Sequence, residues 1–90
     1  MHAVLVRVRI GDYESARKAL NADVIPMVKQ SPGFQSGVWL APVDGQGISI
    51  AVFDTETNAQ QAAEMARSGG PQPETVEIID VEVREVAGRA

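Results

Sequence analysis

One histidine, one tryptophan, one tyrosine and no cysteine leave this 90-residue chain few side chains that could do chemistry. His2 carries the sole imidazole, the group that exchanges protons near neutral pH and could act as an acid or a base. Its place at the head of the first strand reads instead as that of a surface residue near a terminus. A zinc, copper or iron site needs three or four converging ligands, and one histidine without cysteine leaves only carboxylates, so no metal site is read here. Trp39 stands between two small alternation partners, Gly37 and Ala41. It either fills a core, as buried aromatics commonly do, or forms the wall of a small apolar pocket. Tyr13 and Asn21, both on the first helix, are the polar companions such a pocket would have. Ordinary burial preference makes Tyr13 a packing residue with an exposed hydroxyl and Asn21 a solvated helix position, so the ligand-binding set of Trp39, Tyr13 and Asn21 stands beside a purely structural reading of all three. No residue is assigned as catalytic, and no cofactor is assigned.

The elements that must position these residues follow from periodicity. His2–Ile10 alternates, with Val4, Val6, Val8 and Ile10 on one face and Leu5, Arg7 and Arg9 on the other, which is a strand with one dry side. Gly11 breaks it, and Asp12 caps a helix whose apolar positions Tyr13, Ala16, Leu20, Val24 and Val28 recur at three- or four-residue steps. Pro26 lacks an N–H and crowds the preceding turn, so this helix must kink or restart near Val24 and Ile25 before a last turn over 27–30. Ser31, Pro32 and Gly33 end it. Phe34–Val43 is rich in β-formers, and the turn signal over 44–47 leads directly into a strand over 48–53, giving a hairpin that sets Trp39 on the same face as Ile50 and Val52, toward the helices. A second helix over Glu56–Arg67, capped by Asp54 or Thr55, has a stripe of Ala59, Ala62, Ala63 and Ala66 with Met65 beside it. Residues 68–73 form a loop, and a strand over 75–86 alternates Glu77, Ile79, Val81 and Val83 against Ile78, Asp80, Glu82 and Arg84.

The order is β-α-β-β-α-β, a ferredoxin-like α+β arrangement in which a four-stranded antiparallel sheet carries two helices on one face. Its uncovered face is expected to hold Leu5, Arg7, Arg9, Val38, Leu40, Ala51 and Phe53, with Asp80, Glu82 and Arg84, an apolar patch rimmed by charge of the kind that meets another protein. Arg7 and Arg9 could form an anion site with this patch. Facing carboxylates on the neighbouring strand make cross-strand ion pairs the better reading. The glycine-rich stretches at Gly45, Gln46 and Gly47 and at Ser68, Gly69 and Gly70 lack the strand-to-helix spacing of phosphate loops.

Composition bounds the rest. Lys and Arg number 8 against 12 Asp and Glu, a net charge of −4, the wrong sign for neutralising phosphates, so nucleic acid is not expected as a partner. With 44% apolar and 22% charged residues, positions 1–90 read as one soluble domain. A domain of this size buries only about 60 to 70% of its unfolded surface, which makes self-association a natural supplement. Arg7 and Arg9 cut the first apolar run before it could form a signal core or cross a bilayer, and the lack of cysteine agrees with a reducing cytoplasm.

The run Ile25-Pro26-Met27-Val28-Lys29-Gln30-Ser31-Pro32-Gly33-Phe34, followed by Gly37-Val38-Trp39 and the glycine-rich hairpin, resembles the dimeric α+β barrel superfamily, and within it the antibiotic-biosynthesis-monooxygenase-like proteins. The likeness spans the chain in element order and length, and its specific part is Pro32-Gly33-Phe34 leading into a strand. It implies a homodimer in which two sheets join by their uncovered faces. Haem-degrading members carry a histidine on a helix, whereas His2 lies on a strand, so haem binding of that kind is not implied. The tryptophan, tyrosine, asparagine and arginine of cofactor-free oxygenases do not map position by position. Membership of this fold does not select a reaction. Two functions are therefore carried forward: a non-catalytic dimer that binds a small molecule in an apolar pocket between sheet and helices, and a cofactor-independent monooxygenase or isomerase acting on a small aromatic or polyketide-like substrate that supplies its own carbanion.

Overall fold

The computed structural model of the protein describes residues 1–68 and 75–90. Strands β1 (His2–Ile10), β2 (Phe34–Val43), β3 (Gln46–Phe53) and β4 (Val76–Glu85) form one sheet in the order β2-β3-β1-β4, every neighbouring pair antiparallel. The helices are α1 (Tyr13–Ala19), α2 (Ile25–Lys29) and α3 (Glu56–Arg67), with one π-helical turn over Leu20–Val24 joining the first two. This is the ferredoxin-like α+β fold expected from the periodicity. Most of the loop expected over 68–73 lies outside the described residues.

Local chemistry explains the boundaries. The Asp12 carboxylate accepts a hydrogen bond from the Ser15 N–H at 3.2 Å, and the Thr55 hydroxyl accepts one from Asn58 N–H at 3.1 Å, capping α1 and α3. Pro26 has no N–H to continue the ladder, and the break it forces is absorbed by the π turn, where Ile25 N–H reaches back to the Leu20 carbonyl. Gly33 ends the helical stretch with φ +76°, and its carbonyl accepts from Asp54 N–H at 2.9 Å, fastening the start of β2 to the end of β3. A side chain at Gly33 would overlap the Asp54 carboxylate and the Asn58 amide, which are themselves hydrogen-bonded at 2.8 Å. Glycine is needed there for both its backbone angle and its missing Cβ.

Two expectations about side-chain phase are corrected. Ala51 and Phe53 lie on the helix-covered face, opposite Val4 and His2 of β1, and Ile48, Ile50 and Val52 take the uncovered side. The hairpin turn at Asp44 and Gly45 pairs Val43 with Gln46, but the register then shifts between Val43 and Leu40, so Trp39 opposes Ser49 and not Ile50. One bulge flips the phase of the whole partner strand. In β4 the register shifts opposite Arg7 and Val8, leaving Ile79 unpaired and 43% exposed. Ile78 therefore joins Val81 and Val83 beneath the helices, and Glu77 moves across to meet Arg9 at 3.3 Å. His2 is also held more firmly than a terminal residue: it pairs with both Phe53 and Glu85, and its side chain is mostly covered, with Nε2 3.9 Å from the Glu56 carboxylate.

The core is small and centred under α3. Val4, Phe53, Ala59 and Ala63 form it, with the Phe34 ring edge-on to Phe53 at 6.0 Å between centroids. Phe53 is 1% exposed, and Ala59 and Ala63 are fully buried. Alanine brings the α3 backbone close to β1, β3 and β4. The first helical stretch makes no comparably close backbone approach to the sheet.

Candidate ligand-binding cavity

The difference between the two helical layers opens the site. Where α1, the π turn and α2 stand away from the sheet, a cavity of about 580 Å³ remains, floored by Val6, Val8 and Ile10 of β1, Trp39 of β2 and Ser49 of β3, and roofed by Leu20, Ile25 and Val28. Ala62, Ala66 and Met65 of α3 close one side. Its size falls in the range of small-molecule sites, and its wall is mostly aliphatic. Many of these apolar side chains are only half-buried, because none of the described residues fills the space between them.

All three residues singled out from the sequence line this one cavity. Trp39 lies on its sheet wall with the indole folded back over Gly37: a Cβ on Gly37 would sit 2.9 Å from Cζ3 and Cη2 of the ring. The bare backbone of Gly37 is thus what lets the indole lie flat along the strand. Tyr13 and Asn21 lie eight positions apart on one helical row with Arg17 midway between them, so the row Tyr13, Arg17, Asn21 forms the outer rim while Ala16 and Val24 turn inward and are buried. The Asn21 side-chain amide donates to the Arg17 carbonyl at 2.9 Å, inserting itself into the ladder where the π turn begins. Arg17 and Ser49 were not anticipated. The i+4 spacing from Tyr13 carried the signal for Arg17, whereas Ser49 was hidden by the misassigned phase of β3.

Among the described residues no carboxylate and no imidazole lines the cavity, and no three His, Asp or Glu side chains come together elsewhere. The charged groups gather on the opposite face of the sheet. There Arg7 donates to Asp80 at 3.0 Å and to Glu82 at 2.7 Å, and Arg84 donates to the other Glu82 oxygen at 2.8 Å. Hydrogen bonds first from Arg7 and then from Arg84 hold the Glu82 carboxyl below its usual range, and the same contact raises Arg7. These cross-strand pairs use the arginines that an anion site would need.

No family profile and no curated protein matches the chain. Among solved structures it is similar to a monooxygenase from the gene ActVA-Orf6 of Streptomyces coelicolor, crystallised in complex with the ligand nanaomycin D. The two superpose with a TM-score of 0.61 at 16% sequence identity, over 99% of this chain and 89% of that one. The likeness shows the fold: the chain shares the ferredoxin-like α+β arrangement of that protein. Among the described residues, no helix is long and apolar enough to cross a membrane.

Proposed function

We propose that this protein binds one small, flat, largely apolar organic molecule between its sheet and its first helical stretch, as a homodimer in the cytoplasm. The observation that carries the reading is the apolar cavity of about 580 Å³ where α1 and α2 stand off the sheet. Burying apolar ligand surface there gains roughly 25 cal/mol per Å² before the cost of association. Trp39 supplies a planar wall and a built-in reporter. Titration with small aromatic ketones and quinols should change Trp39 emission saturably, and Trp39→Ala should abolish binding. An emission spectrum indifferent to every member of the panel would remove this reading.

A second reading, a cofactor-independent monooxygenase, is supported by the fold shared with the monooxygenase described above. The wall offers Tyr13, Arg17, Asn21, Ser31 and Ser49 as polar groups, none of them a ready base near neutral pH, which places binding ahead of turnover. Oxygen uptake with the same quinol panel, without flavin or metal, separates the two. Saturable binding without uptake supports the binding protein, and uptake with turnover supports the oxygenase.

The homodimer reading rests on the uncovered sheet face, where Leu5, Val38, Leu40, Ile48 and Ile50 share one side without a helix above them. Val38 and Leu40 are about half exposed in the single chain, at 48% and 51%. A cytoplasmic location is supported by the absence of cysteine in the sequence.

A further inference from the structure

We infer that the molecule bound in this cavity carries one acidic group, held at the rim by Arg17 while its apolar body lies against Trp39. The inference rests on the cavity reading and adds the ligand's charge to it. Arg17 is the only charged residue among the described residues lining the cavity, in a protein whose net charge is −4. The protein's overall field repels an anion, so attraction at this mouth has to come from a local cation. Arg17 follows Tyr13 by one helical turn and precedes Asn21 by another, which puts a guanidinium between a phenol hydroxyl and a side-chain amide along one edge of the opening. Among the described residues its one ionic contact is with Glu14 at 3.6 Å, beyond good hydrogen-bond length, with both side chains more than half exposed. A contact of that kind exchanges readily for a carboxylate that can take two parallel N–H donors. The depth of the cavity argues the same way, because the inner wall is aliphatic and would strip water from a charge without replacing it. A charged group therefore stays at the α1 rim, where solvent and Arg17 both reach it.

The test compares 2-naphthoate with the isosteric neutral 2-naphthamide by titration calorimetry on the full chain. The acid is expected to bind about threefold to tenfold more tightly than the amide, with the difference shrinking as salt is raised. Arg17→Gln should remove the preference for the acid, and Arg17→Lys should keep part of it, while thermal melting of both variants reports that the fold is intact. Equal affinity of the two probes for the unaltered protein would overturn the inference and leave the apolar cavity standing. A preference that survives in Arg17→Gln would overturn the role of Arg17. Binding of neither probe would overturn this inference and the cavity reading together.

Discussion

Gly33 and Gly37 show how much of the site depends on side chains that are missing. Gly33 combines φ +76° with a neighbourhood already filled by Asp54 and Asn58, so Gly33→Ala must both strain the backbone and break the Asp54–Asn58 contact that begins α3. A loss of about 1–3 kcal/mol is expected, read as a lower midpoint in thermal or urea unfolding, and an unchanged midpoint would mean the turn can be made otherwise. Gly37 acts on function more than on stability. A valine there would push into the six-membered ring of Trp39 and swing the indole off the cavity wall, so Gly37→Val should shift tryptophan emission and weaken ligand binding even where the fold survives. On the opposite face, Glu82 is the residue whose titration matters. Its folded value is lowered, so its contribution to stability is complete above the ordinary glutamate value of roughly 4.3 and is lost as pH falls below that through the lowered value. Carboxyl chemical shifts should show Glu82 titrating below free glutamate, and in Arg7→Gln that midpoint should rise.

At the scale of elements, the two helical layers differ because their contact residues differ. Ala59 and Ala63 let α3 approach the sheet until both are fully buried, whereas the first stretch presents Leu20, Ile25 and Val28 and is bent by the π turn before Pro26. Ala63→Leu should therefore be costly, by about 1–3 kcal/mol of overpacking, while Ala62→Leu at the cavity edge should be tolerated and should reduce ligand affinity by filling space. Equal destabilisation by both would contradict the asymmetry between the layers. Strand and helix positions were legible in the sequence because alternation, caps and the helix-breaking Pro26 are local signals. The facing of β3 was not, since a one-residue bulge turns Ala51 and Phe53 inward without changing the alternation itself. Pro42 was the available clue: it has no N–H for the ladder, and it falls between Leu40 and Val43, where the register slips. Trp39, Tyr13 and Asn21 were reachable because two of them share a helical row and the third is flanked by small residues. Ser49 needed the correct β3 phase, which is tertiary information.

For the molecule as a whole, the sheet separates an apolar cavity on one side from a charge-rimmed apolar face on the other. With Phe53 in the core at 1% exposure, Ile50 on the uncovered side is the residue at which self-association can be tested. Light scattering at micromolar concentration should report two subunits for the unaltered chain, and Ile50→Glu should shift it toward monomer while leaving the fold intact. A chain that is monomeric before mutation would remove the dimer reading and leave the cavity untouched. Whether the space beneath α1 and α2 receives a small apolar molecule is read by backbone and methyl NMR during titration with 2-naphthamide. Saturable shifts should concentrate at Val8, Leu20, Ile25, Trp39 and Ser49, with Ile50 and Val52 on the far face unaffected. Shifts that never saturate, or that gather on the uncovered sheet face, would contradict binding in that space.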